Sequence, residues 1–148
     1  MKHLNRIFYL ILVTAMGISI SVNAQSKNNQ KKEVALDGYC PVAYVAMKKA
    51  VKGKQEYSTN YKGKTYHFAA KKAVAMFEKD PSKFLPSYDG YCATAMSMGK
   101  EVKSDPKIFS LYKGHTYLFS TEKAKEMFDK DPEMYIKKGD KEFAQLNK

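Results

Sequence analysis

Asp37-Gly38-Tyr39-Cys40 returns as Asp89-Gly90-Tyr91-Cys92, and that recurrence governs how the rest of the chain is read. The match continues downstream. Tyr61-Lys62-Gly63, Thr65-Tyr66, Phe68, Lys72-Ala73, Met76-Phe77 and Lys79-Asp80-Pro81 recur as Tyr112-Lys113-Gly114, Thr116-Tyr117, Phe119, Lys123-Ala124, Met127-Phe128 and Lys130-Asp131-Pro132. The offset falls by one residue between the cysteine and the middle of the unit, so a single deletion separates the copies. A first unit over 34–86 and a second over 87–148 follow from this spacing.

Each copy carries the same local signals. Gln55 to Tyr61 and Lys64 to Phe68 are short runs rich in Tyr and Thr, joined at Lys62-Gly63, where Gly accepts the positive φ of a tight hairpin. Tyr66 and Phe68 alternate onto one face and Thr65 and His67 onto the other; Tyr117 and Phe119, against Thr116 and Leu118, repeat the pattern. Ala70, Ala73, Val74 and Phe77 then fall at helical spacing, as do Ala124, Met127 and Phe128 behind a Ser120 or Thr121 cap. Asp80-Pro81 and Asp131-Pro132 end these helices and start a further short turn.

A hairpin with one helix cannot bury its apolar face alone. The expected class is therefore α+β: two β-hairpin–helix units, related by an approximate twofold axis and packed around a shared core into one small domain. The core candidates are Tyr66, Phe68, Val74, Phe77 and Phe84, with Tyr117, Phe119, Phe128 and Tyr135. Met76 and Met127 read as core filler.

Ahead of the repeat, residues 1–24 have the pattern of a secretory signal. Lys2, His3 and Arg6 precede an apolar run from Ile7 to Ile20, and Val22-Asn23-Ala24 supplies small residues for cleavage before Gln25. The run is shorter than the roughly 20 residues a spanning helix requires, so the expectation is export to the periplasm or the extracellular space. Residues 25–33 are polar throughout and read as a flexible leader. Removing the signal leaves 124 of the 148 residues, enough for one compact domain.

Cleavage also removes Lys2 and Arg6 and no acid, which takes the formal charge from +11 to +9. Arg6 is the chain's one arginine, so the remaining cations are all lysines. The planar two-pronged donor that reads base edges or grips phosphate is missing, which argues against sequence-specific nucleic-acid binding. Lysines spread over both units describe a solvated surface, with attraction to anionic lipids or cell-wall polymers as the other reading.

The run Gly38-Tyr39-Cys40-Pro41-Val42-Ala43-Tyr44, the run Gly63-Lys64-Thr65-Tyr66-His67-Phe68, Phe77 with Asp80-Pro81, and Gly90-Tyr91-Cys92-Ala93 together resemble the YHS domain, a small module named for its Tyr-His-Ser signature. The resemblance is to the duplicated, exported form and spans nearly the whole chain after the signal. Other members are attached to heavy-metal transporters or related to metal-sensing domains, which implies binding of soft ions such as copper. The metal-associated versions carry a Cys-x-x-x-Cys pair between the second hairpin strand and the helix. At the matching positions this chain has Ala69 and Ala73, and Ser120 and Ala124. Cys40 stands where exported relatives typically have Asp, whereas Cys92 matches the Gly-Tyr-Cys-Ala of the second half.

Cys40 and Cys92 are the chain's two thiols and occupy equivalent places in the two copies. One reading joins them as a disulfide, suited to an oxidising compartment, giving a stapled structural or protein-interaction module without metal. Closing so long a loop would add about 4 kcal/mol on the chain-entropy model. The other reading, and the one favoured, pairs the same thiolates around Cu(I), with Met96 or Met98 completing a soft site. Because both need the same sulfurs, they also allow a redox-dependent alternation. The expected partner is a metal ion, or an exported or membrane protein.

His67 aligns with Leu118 and His115 with Lys64, which argues against a symmetric histidine site. Zinc-finger spacing is absent. So are a Gly-rich phosphate loop, a His-Glu-x-x-His and a nucleophile elbow, and no catalytic residue is assigned. Asp37 and Asp89, each before a Gly, read as turn residues.

Overall fold

The computed structural model describes residues 33–146 and 148. The expected signal over 1–24 and all but the last residue of the expected leader lie outside those residues. Element order is the same in both units. The first runs from a turn at Ala35–Gly38 through α1 (Pro41–Met47), β1 (Lys54–Tyr61), β2 (Lys64–Phe68), α2 (Lys71–Lys79) and α3 (Pro81–Phe84). The second runs from a turn at Ser87–Gly90 through α4 (Ala93–Met96), β3 (Asp105–Tyr112), β4 (His115–Phe119), α5 (Glu122–Lys130) and α6 (Pro132–Leu146). The class is α+β, with two separate two-stranded antiparallel sheets.

The hairpins form where the Lys-Gly pairs predict them. Lys62 and Gly63 have φ of 46° and 79°, and Lys113 and Gly114 have 48° and 83°, the two positive values a type I′ turn requires. Register then follows from the turn: Tyr61 pairs with Lys64 and Thr59 with Tyr66, while Tyr112 pairs with His115 and Ser110 with Tyr117. Both ladders slip at the same place, between Lys54 and Ser58 and between Asp105 and Phe109, so the irregularity is duplicated with the rest.

Each hairpin puts its aromatic face against its own helix. Phe77 of α2 lies 5.3 Å from the Tyr66 ring and 5.2 Å from Phe68, and Phe128 of α5 lies 4.9 Å from Tyr117 and 5.1 Å from Phe119. Such ring pairs add about 0.5–1.5 kcal/mol each beyond the area they bury. The expected shared core is corrected here. Most of the buried apolar residues form two clusters, one holding Cys40, Tyr66, Phe68, Phe77 and Phe84 and the other Cys92, Met96, Tyr117, Phe119 and Phe128, while the buried Tyr44 and Leu118 belong to neither. Each unit has an aromatic layer large enough to close over its own hairpin.

What joins the units is the outer face of the second hairpin. In β4 all of Thr116, Tyr117, Leu118 and Phe119 are buried, because α1 and α3 of the first unit cover the side that alternation leaves free. Tyr44 of α1 reaches across, donating its hydroxyl to the Pro106 carbonyl at 2.7 Å and placing its ring 4.9 Å from Phe109. On the first hairpin Thr65 and His67 of the corresponding face are half-buried: Val34 pairs in parallel with Thr65, and Thr65 N–H donates to the Glu33 carbonyl at 2.9 Å.

The short turn expected after Asp131-Pro132 is instead a helix of 15 residues, α6. Its start is as predicted, with the Asp131 carboxylate accepting from Met134 N–H at 3.1 Å. Its continuation is held by Tyr88, whose buried hydroxyl donates to the Asp140 carboxylate at 3.0 Å. No described helix is long and apolar enough to cross a membrane.

Candidate functional site

A run of left-handed backbone delivers each cysteine. Leu36, Asp37 and Gly38 have φ of 55°, 46° and 78°, and Tyr88, Asp89 and Gly90 have 58°, 54° and 87°. Non-glycine residues adopt this region at a cost of about 1–2 kcal/mol each, so its appearance in both copies marks a required turn. It closes with Tyr39 N–H on the Leu36 carbonyl at 2.8 Å and Tyr91 N–H on the Tyr88 carbonyl at 2.9 Å. The chain then enters the core. Cys40 N–H donates to Val51 and Cys92 N–H to Val102, at 2.8 and 2.9 Å, and each cysteine immediately precedes a short helix.

Both thiols end up 1% exposed. They are free, so the disulfide alternative for Cys40 and Cys92 is not formed in this structure. Nor are the four expected ligands gathered in one place. Cys40 belongs to the first cluster, Cys92 and Met96 to the second, and Met98 is 57% exposed. Met96 N–H donates to the Cys92 carbonyl at 2.8 Å, which keeps those two residues together. The separation has a simple origin: each cysteine is anchored by backbone hydrogen bonds inside its own unit.

The surroundings of the two thiols differ. Cys92 Sγ accepts from Ser120 Oγ at 3.5 Å, and Thr94 Oγ1 donates to the Ala124 carbonyl at 2.7 Å, tying the start of α4 to α5. Cys40 instead lines a cavity of about 370 Å³ shared with Ala69, Ala73, Met47 and Met76. In the sequence Met76 reads as core filler, and Met47 as the first copy's one methionine in a place comparable to Met96 and Met98. Their positions relative to Cys40 become apparent only once the strand–helix junction is folded. Among the described residues no three His, Cys, Asp or Glu side chains gather into a cage for a metal ion. Any metal fit here therefore rests on thiol and thioether sulfur, a donor set suited to Cu(I) and poorly suited to hard, oxygen-seeking ions.

His67 is half-buried, its Nδ1 near the Gly38 turn, and His115 is exposed at the second hairpin turn. Asp37 accepts from Lys103 Nζ at 2.9 Å, an exposed ion pair joining the two units, and the hydrogen bond holds the lysine's pKa above its usual range.

Two hairpin–helix units, each closing over a cysteine delivered by a left-handed turn, define a tandem α+β module. A family model for the YHS domain matches residues 42–88 and again residues 98–138, together more than half of the chain. The chain belongs to the YHS domain family, as a tandem member. That membership is suggestive of a metal-related role. Cys40 and Cys92 fall just outside the two matched segments, whereas Met47 and Met76 fall within the first. Neither a curated protein nor a solved structure matches the chain.

Proposed function

We propose that this chain is an exported binding protein, not an enzyme, that takes up soft heavy-metal ions of the copper class on its cysteine thiolates. The observation that carries the reading is where the free thiols sit. Cys40 lines a cavity with Ala69 and Ala73, and Cys92 is hydrogen-bonded to Ser120, so each thiol lies at the strand–helix junction. Those are the positions at which the metal-associated relatives have their Cys pair. One sulfur from the opening turn thus approaches the place vacated by two. The separate cores favour action within each unit over a site shared by Cys40, Cys92, Met96 and Met98.

A thiol must lose its proton to bind a metal, so uptake releases protons and weakens as pH falls. The ion is the cargo, and the partners that fit are an exported or membrane donor and acceptor. The test is a thiol titration of the purified protein followed by anaerobic Cu(I) competition against a chromophoric chelator. Two titratable thiols and Cu(I) retained against the chelator, less so in acid, are expected. A protein that holds no Cu(I), with its thiols reduced, removes the metal reading and leaves a protein-interaction module.

A further inference from the structure

The two thiols share a place in the repeat but differ in what faces them, and the difference points to a division of labour. We infer that the first unit alone loads metal, holding one Cu(I) between Cys40, Met47 and Met76, while the second unit keeps Cys92 as a closed structural thiol. This rests on the metal reading above and narrows it to one site.

Three sulfur-bearing residues, Cys40, Met47 and Met76, are among those that line the cavity. Cys40 is buried, Met76 is half-buried on α2, and Met47, the last residue of α1, is 55% exposed. This grades from a buried thiol to an exposed, flexible thioether, an arrangement suited to capturing an ion from solution and passing it inward. Most of the remaining wall is alanine and valine, so a hard ion would shed its water and find no oxygen in return. Two thioethers with one thiolate favour monovalent copper.

Charge supports the same choice. Lys72 is the one charged residue lining the cavity. A Cu(I)–thiolate is neutral and tolerates both the apolar wall and the nearby ammonium, whereas a divalent ion on the same thiolate leaves a net positive charge beside Lys72. The step balances simply: the Cys40 S–H bond breaks, an S–Cu bond forms, one proton leaves to solvent, and copper enters and leaves as Cu(I) with no electron transferred.

In the second unit hydrogen-bonding side chains stand at the equivalent places. Thr94, at the place of Val42, is bonded to the Ala124 carbonyl, and Ser120, at the place of Ala69, is bonded to Cys92. Gly99 stands where the first unit has Met47, and α6 packs along α4, for which the first unit has no counterpart of that length.

The experiment measures Cu(I) per chain by anaerobic chelator competition, and sulfur coordination by X-ray absorption, for the purified protein and for Cys40→Ser, Cys92→Ser and the double variant Met47→Leu, Met76→Leu. One Cu(I) per chain is expected, bound by Cys92→Ser with affinity close to that of the parent. Cys40→Ser should lose at least about a hundredfold, and the Met pair about tenfold or more with a drop in sulfur coordination number. Should Cys40→Ser fail to fold by circular dichroism, the near-isosteric Met pair still decides the matter. Loss of copper in Cys92→Ser with retention in Cys40→Ser, an unchanged affinity in the Met pair, or two equal ions per chain overturns the one-unit site while leaving the metal reading in place. Absence of Cu(I) from every form, the parent included, overturns both.

Discussion

Tyr44 and Met96 occupy the same place in the two copies and do different work. Met96 stays in its own core, beside Cys92, whereas Tyr44 crosses to the second unit and donates to Pro106. Burial is the first cause that pushes the Tyr44 hydroxyl above its ordinary pKa, so it stays a neutral donor beyond the pH at which a free tyrosine ionises. Tyr44→Phe keeps the ring against Phe109 but leaves the Pro106 carbonyl without its partner. A loss of about 1–3 kcal/mol in unfolding free energy is expected from denaturant titration. A change below the error of that measurement would show that the bond contributes nothing to joining the units. The choice of Tyr over Met is visible in the sequence as a broken repeat, but its partner 62 residues away is not.

Among the elements, α6 departs furthest from its sequence reading. Its first copy, α3, has four residues and ends at Phe84, while α6 continues to Leu146. The local signals at the starts are alike, an Asp cap followed by Pro, and Asp80 accepts from Lys83 N–H just as Asp131 accepts from Met134. Where a helix stops depends on whether something buries its next turns, and here Tyr88 does so. Gly139 is buried against it: a Cβ at that position would lie 2.7 Å from the Tyr88 hydroxyl oxygen. In an isolated helix Gly→Ala gains about 1 kcal/mol. Here Gly139→Ala is expected to destabilise by about 1–3 kcal/mol through overpacking, read as a lowered melting temperature. Combining it with Tyr88→Phe, which removes the clashing oxygen, should cost less than the sum of the two single changes. A stabilising Gly139→Ala would mean that α6 does not lie on Tyr88 as described.

For the molecule as a whole, the buried tyrosines set the response to high pH. Burial raises the hydroxyls of Tyr44, Tyr66 and Tyr88 above the ordinary 10.0, Tyr66 to about 12, with Asp89 of the second unit adding to its shift and Asp140 to that of Tyr88. The unfolded chain then releases protons that the folded chain retains. Stability from these groups is complete below pH 10 and falls as pH rises through the folded values, about 12 for Tyr66. Unfolding free energy measured across this window should decline, with ultraviolet tyrosinate absorbance rising in step with loss of structure. Free titration of all the tyrosines in the still-folded protein would contradict the burial on which both cores depend.

Much of this was readable beforehand because it is local. Lys-Gly turns fix a hairpin, Thr121 caps α5 through Ala124 N–H, and Phe77 and Phe128 recur at a spacing that aims them at the strand aromatics. The candidate site was read only in part. Cys40 and Cys92 stood out as a repeated pair, and their equivalence suggested that they meet; equivalent positions in two units share surroundings, however, and need not share a neighbour.

The sequence by itself determined the duplication, the α+β class, the turns that send each cysteine inward and the capping of the helices, since all of these depend on residues within a few positions of one another. Only the tertiary structure decided that each unit has its own core, that β4 is buried on both faces, that Met47 and Met76 face the cavity at Cys40, and that Ser120 closes over Cys92. Those contacts join segments far apart in the chain, and which of them form depends on how side-chain volumes fill the space between elements once their backbones are already in place.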